Sequence, residues 1–174
     1  MTELVSETSE FDGVEIKQTW FGSSELSLDS LDLPITQCYG ICYTENLEIL
    51  TFKKPGKGRY NLPGGTPDSN EDLIATLRRE VLEEVDVEVD SIEYLGAIQV
   101  EFLIGSDERS GLKKFYQLRF IAKIKNILEQ TPDPDNGEIY ERVFVPCDVV
   151  TEYIKWGKIG EAMFRDANNR AKIL

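Results

Sequence analysis

Residues 65–87, GTPDSNEDLIATLRREVLEEVDV, constrain the fold more than any other stretch of this chain. A glycine-led loop runs into a helix that carries acids at its unfavourable end. The spacing predicts a helix from about Ser69 to Val85. Ser69 or Asn70 caps it, Glu71 and Asp72 suit its positive end, and Ile74, Leu77, Val81 and Val85 form an apolar stripe. Glu80, Glu83 and Glu84 stand at i, i+3 and i+4, so they share one side of a turn at the margin of that stripe. Like-charge pairs at this spacing cost ~0.2–0.5 kcal/mol each on an isolated helix. Carboxylates in the last turn also oppose the helix dipole, by a further ~0.3–1 kcal/mol each. Folding alone does not call for this arrangement, whereas a bound divalent cation reverses the sign of every term. The competing reading is an acidic, solvated helix face.

Composition narrows the chemistry. The chain has 174 residues, 41% of them hydrophobic, enough for one globular domain with a substantial core. It lacks histidine, which removes Ser-His-Asp, Cys-His and His-ligated zinc chemistry and leaves carboxylates, lysines and arginines for acid-base or metal work. Cys38, Cys42 and Cys147 are odd in number and lack zinc-type spacing, so they read as reduced, buried thiols in a cytoplasmic protein. The start carries neither a basic n-region nor an apolar h-region, and no apolar run approaches the ~20 residues that span a bilayer. Net charge is −13, of which the first 37 residues, with eight acids and one lysine, supply −7. That balance disfavours duplex nucleic acid, whose phosphates need Lys and Arg. An anionic ligand would need a metal ion and a few local cations.

Along the chain, residues 1–13 are polar, acidic and expected to be mobile, Val14–Phe21 reads as a strand, and Gly22–Pro34 as a loop or short helix. QCYGICY, the turn ENLE and ILTFKK read as a hairpin, followed by the basic loop PGKGRYN. After the central helix, IEYLGAIQVEFLI and KKFYQLRFIAKIK read as long strands joined by GSDERSG. RVFVP is a short strand, and two helical stretches close the chain, about Asp148–Lys155 and Gly160–Lys172. The order of elements indicates an α/β layer domain. We divide the chain into an acidic segment, 1–36, and a main domain, 37–174.

Gly65, five residues, Glu71, seven residues, then Arg79-Glu80-Val81-Leu82-Glu83-Glu84-Val85-Asp86-Val87 resembles the Nudix box, G-x5-E-x7-R-E-U-x-E-E-x-G-U, with U aliphatic. Only the final glycine differs, replaced by Asp86. Tyr60-Asn61-Leu62-Pro63-Gly64 is similar to the lead-in of that family. Independently of the match, Gly64 and Gly65 permit a tight backbone turn, the glutamates offer hard oxygens suited to Mg²⁺ or Mn²⁺, and Arg79 can hold Glu80 ionised. The resemblance implies an α/β/α sandwich around a mixed β-sheet. It also implies metal ligation by Glu80, Glu83, Glu84 and Gly65, with Glu71 pairing structurally with Arg79. Its catalytic set is Glu80, Arg79 and a loop acid ahead of the last strand, Glu138 first and Glu141 second, with Glu80 itself able to serve as base. Glu101 is a weaker candidate. Asp86 tolerates the left-handed conformation that the glycine would adopt, at a stability cost of no more than ~1 kcal/mol.

Lys53, Lys54, Lys57 and Arg59 surround the basic loop. Lys53 and Arg59, with Gly64 and Tyr60, are the candidates for substrate binding, against the alternative of a solvated turn. Tyr39, Tyr43 and Phe102 suit core packing better than stacking on a base. The resemblance thus implies Mg²⁺- or Mn²⁺-dependent hydrolysis of a nucleoside diphosphate linked to another group, the substrate being of nucleoside triphosphate, ADP-ribose or nucleotide-sugar type. The alternative is a non-catalytic domain of the same fold that senses a nucleotide or nucleotide-sugar. Partners are then small nucleotide-type molecules, with no membrane, and homodimerisation is left open.

Overall fold

A computed structural model describes residues 4–174. The segment 1–3, part of the stretch expected to be mobile, lies outside the described residues. From Val5 the chain is ordered: β1 (Val5–Phe11) pairs antiparallel with β2 (Val14–Gly22) along its whole length. The turn at Asp12-Gly13, both with positive φ, makes this hairpin.

The remaining strands extend one sheet. They are β3 (Ile35–Tyr43), β4 (Glu48–Lys53), β5 (Tyr60–Asn61), β6 (Gly64–Gly65), β7 (Val87–Phe102), β8 (Lys114–Ile127) and β9 (Glu141–Pro146). The order is β1-β2-β7-β8-β3-β4-β5, with β6 on β3 and β9 on β4. β3 and β8 run parallel and the other pairs antiparallel, so the sheet is mixed. The hairpin read from ENLE exists in its turn, but β3 and β4 share one paired position, Tyr43↔Ile49. Beyond it β4 diverges to pair six residues with β9, while β3 pairs with β8 and, at Cys38 and Tyr39, with β6. An apolar run cannot announce which neighbour it will choose.

Both faces of the sheet are covered. Leu77, Val81 and Val85 of α1 (Leu73–Val85) pack with Cys38, Cys42, Leu50, Ala97, Leu118 and Phe120. Ile159, Met163, Phe164 and Ala167 of α3 (Gly157–Ala171) pack with Ile41, Ile49, Ile98 and Ile121. Neighbours such as Ile49/Leu50 and Phe120/Ile121 therefore serve opposite cores, which is why these strands read as continuous apolar runs. The result is the expected α/β/α sandwich. A one-turn helix, α2 (Val150–Tyr153), precedes α3; it is shorter at both ends than the expected stretch 148–155, whereas α3 starts three residues before the expected Gly160 and ends one before Lys172.

The central helix also begins later than its periodicity suggests. Asp72, rather than Ser69 or Asn70, is the N-cap, its carboxylate accepting from the Ile74 and Ala75 amides at 3.1 Å. Asn70 adopts φ 63° in the turn before it. The helix ends at Asp86, in the left-handed conformation (φ 52°, ψ 46°). Arg142 of β9 then donates to the carbonyls of Val85 (3.1 Å), Asp86 (3.3 Å) and Leu128 (2.8 Å). The cation absent from the last turn of this helix is supplied from a distant strand.

Candidate active site

The turn at Gly64-Gly65 and the side of α1 facing it bring the box residues together. Pairing of β6 with β3 presses the turn against Cys38 and Tyr39. A Cβ on Gly64 would stand 2.2 Å from the Cys38 carbonyl oxygen, and its φ of 152° is one that L side chains rarely adopt. A Cβ on Gly65 would meet the Glu80 carboxyl carbon at 2.4 Å. Backbone and carboxylate therefore share a space that no side chain can enter.

Glu84 is turned toward this bend. Its Oε2 accepts the Gly64 N–H at 2.9 Å. Burial is the main influence on its carboxyl and pushes it up to about 7; the Gly64 N–H and the Lys54 ammonium oppose that, while Glu80 and Asp133 add to it. Glu80 is raised too, chiefly by burial, with Arg79 pulling the other way.

Arg79 is the hub. Its Nε and Nη2 form a fork on Glu71, at 2.9 and 3.0 Å. Its Nη1 reaches Glu80 Oε1 at 2.9 Å and Glu83 Oε2 at 3.2 Å. The guanidinium thus draws Glu80 and Glu83 onto one nitrogen and relieves part of their repulsion. Glu71, held also by the Asp68 amide and the Thr76 hydroxyl, has its carboxyl drawn down to about 2, mainly by Arg79. The pairing of Glu71 with Arg79 that the resemblance implies has here a bidentate geometry.

Among the described residues no three acidic, thiol or imidazole groups converge as a ready-made metal cage. The donor set nevertheless suits a hard cation. Three carboxylates lie on one turn of helix, beside a glycine whose missing Cβ leaves room at Glu80. Burial also disfavours the ionised form of Glu84, which a cation would favour.

Other sequence candidates are distributed differently. Glu138 is exposed, and its backbone carbonyl, rather than its carboxylate, makes the loop contact, accepting from the Asp133 amide at 2.8 Å. Glu141 pairs with Lys53 at 3.2 Å. Glu101 lies 3.8 Å from Lys114. Asp133 and Asp135 are the loop acids whose charge is felt at Glu84 and Glu80, respectively. Neither was singled out from the sequence, although TPDPDNG is the acidic end of that same loop. Lys53 lies over the Tyr60 ring at 5.1 Å, and Tyr60 packs edge-on to Tyr153. Arg59 is exposed. Lys54, over the Tyr140 ring at 5.0 Å, is the loop cation felt at Glu84. All three cysteines are buried and free, and Tyr43 and Phe102 are core residues. Among the described residues, no helix is long and apolar enough to cross a membrane.

Asp86 does more than tolerate its conformation. Its carboxylate accepts from the Thr131 amide (2.9 Å) and hydroxyl (2.6 Å), which fastens the 128–140 loop to the end of α1.

No curated protein matches the sequence. Among solved structures, the pyrophosphohydrolase BsRppH of Bacillus subtilis is 21% identical over 90% of this chain and 94% of its own, with a TM-score of 0.64. A MutT protein of Bacillus halodurans is 20% identical over 74% of this chain and 78% of its own, with a TM-score of 0.56. A UDP-X diphosphatase is 16% identical over 79% and 64%, with a TM-score of 0.52. At these identities the likeness is one of fold. The NUDIX domain matches residues 39–166, well over half the chain, and with the box residues gathered on one bend the chain belongs to that family of hydrolases of phosphoric anhydride bonds.

Proposed function

We propose that this chain hydrolyses a nucleoside diphosphate linked to another group, using a divalent cation, Mg²⁺ or Mn²⁺, held by Glu80, Glu83, Glu84 and the Gly65 carbonyl. The observation that carries this reading is that two glutamates meet the glycine bend, Glu84 on the Gly64 amide and Glu80 against Gly65, while Arg79 draws Glu83 toward Glu80. When bound, the cation supplies charge neutralisation and Lewis acidity toward the diphosphate.

The chain's own residues do the rest. Glu71 fixes Arg79, and Arg79 holds Glu80 through Oε1. That leaves Glu80 Oε2 free of Arg79 to take the proton of the attacking water, and burial raises the proton affinity of this carboxyl. Gly64 and Gly65 let the backbone approach the phosphates as no larger residue could. Lys54, whose charge is felt at Glu84, would offset phosphate charge there. This reading gives Glu138 no part in the proton transfer.

The names of fold relatives that act on pyrophosphate linkages and on UDP compounds agree with the substrate class. The test is product release from a panel of nucleoside triphosphates, dinucleotides and nucleotide-sugars with Mg²⁺ or Mn²⁺. Monophosphate or phosphate release that stops with EDTA supports the proposal. Binding without turnover across the panel would favour the sensor instead.

A further inference from the structure

A buried arginine lies on the other face of the sheet from α1. Arg119, on β8, is 3% exposed and among the described residues has no carboxylate partner. Its Nη1 donates to the Leu118 carbonyl at 3.1 Å and its Nη2 reaches the Gln117 side-chain oxygen at 3.5 Å, the outer limit for such a bond. Its Nε is buried and among the described residues has no acceptor. The guanidinium lies over the Tyr39 ring at 4.5 Å and near the Trp156 ring at 5.7 Å. Burial pulls its pKa down to about 10, so it remains a cation at neutral pH.

Two aromatic rings and one good hydrogen bond do not replace the hydration of a guanidinium. A buried charge without a counter-ion is costly, and in a protein of net charge −13 carboxylates are plentiful. This one stands apart from them. It lines a cavity of about 370 Å³ whose other walls include Gln18, Asn61, Gln117, Lys155 and Glu7. Glu7 is engaged elsewhere, accepting the Lys158 amide at 3.1 Å. Tyr39 connects this cavity to the box: it pairs with Gly64 on the neighbouring strand, and its hydroxyl feels the charges of both Arg119 and Glu84. Asn61, three residues before Gly64, lines the same space.

We propose that this cavity is an anion subsite in which Arg119 binds an oxyanion, phosphate or carboxylate, carried by the substrate away from its scissile diphosphate. The proposal rests on the diphosphate being seated at the Gly64-Gly65 bend. It narrows the substrate class to diphosphate compounds with an additional acidic group. A planar guanidinium, with several N–H donors in one fork, is suited to a two-oxygen acceptor. Arg119 is then a specificity residue, unnecessary to the fold.

Two measurements test it. The first needs no turnover: thermal melting in EDTA, with and without inorganic phosphate, for the wild type, Arg119→Met and Arg119→Lys. Phosphate should raise the wild-type midpoint by several degrees and Arg119→Met hardly at all, with Arg119→Lys between them. Without phosphate, Arg119→Met should melt no lower than wild type, because an unpaired buried charge has been removed. A structural arginine would give the opposite: a lower midpoint for both variants with the phosphate shift retained, and that result overturns the proposal. The second compares substrates differing by one oxyanion, NADP⁺ against NAD⁺ and UDP-glucuronate against UDP-glucose, with Mg²⁺. The wild type should favour the more acidic member of at least one pair by about tenfold in kcat/KM through KM, and Arg119→Gln should bring that ratio near one. Equal losses on both members of each pair would contradict it. Absence of turnover on every substrate would sink the hydrolase reading while the phosphate arm still decides the role of Arg119.

Discussion

The Gly64 amide donates to Glu84 Oε2 at 2.9 Å, across twenty positions of chain, and so ties the bend to the helix that faces it. One contact thereby sets both the backbone turn and the orientation of a half-buried acid. Glu84→Gln keeps an oxygen for that amide but loses the negative charge. We expect kcat/KM to fall by ~10²-fold or more while the fold persists, and Glu83→Gln to behave likewise. Steady-state kinetics with circular dichroism of the same samples checks this. Near-normal rates in both variants would remove these carboxylates from the metal site.

The two glycines of the bend should fail in different ways. Gly64→Ala places a Cβ 2.2 Å from backbone and demands an unfavourable φ, so it should cost ~3 kcal/mol or more in urea denaturation. Gly65→Ala collides with the Glu80 carboxyl, a side chain that can swing aside. Its stability loss should be ~1 kcal/mol while activity falls at least ~10-fold. Equal stability losses in the two variants would contradict the assignment of Gly65 to the site rather than the fold.

Acid stability reports the Glu71–Arg79 fork. The Glu71 carboxyl is drawn down to about 2, below its ordinary 4.5. A depressed acid contributes stability above its unfolded value and loses it as pH falls through the folded one. Between pH 4.5 and 2 the wild type should therefore lose stability faster than Glu71→Gln, and above pH 5 the two curves should run parallel. Chemical denaturation across that range makes the comparison, and identical slopes would mean that the fork adds nothing.

Much of this was legible because local chemistry demanded it. The apolar stripe of α1, the glycine bend, the box spacing and the long strands β7 and β8 all follow from periodicity and turn residues. Strand partners were not legible, since Ile49 and Leu50 serve opposite cores and β4 abandons β3 for β9 after one pair. Arg142 capping α1 from β9, and Asp133 and Asp135 being the loop acids felt at the glutamates, depend on tertiary placement that no spacing records. The N-cap was misplaced by local ambiguity: Ser69, Asn70 and Asp72 are all competent caps, and Glu71, taken up by Arg79, leaves Asp72 to begin the helix.

At Asp86, glycine would ease the left-handed backbone but discard both bonds to Thr131. Asp86→Gly should therefore destabilise by ~1–2 kcal/mol rather than stabilise, and hydrogen exchange at the Thr131 amide should accelerate. Asp86→Asn, which keeps an acceptor, should lie between. A higher melting temperature for Asp86→Gly would show that backbone strain outweighs the tie.

Anomalous diffraction at the manganese edge, on crystals soaked in Mn²⁺ with a non-hydrolysable nucleotide, addresses the central claim most directly. A peak is expected within ligand distance, ~2.0–2.3 Å, of carboxylate oxygens from Glu80, Glu83 or Glu84, beside the Gly65 carbonyl. Its absence there, while the nucleotide is bound, would contradict that claim.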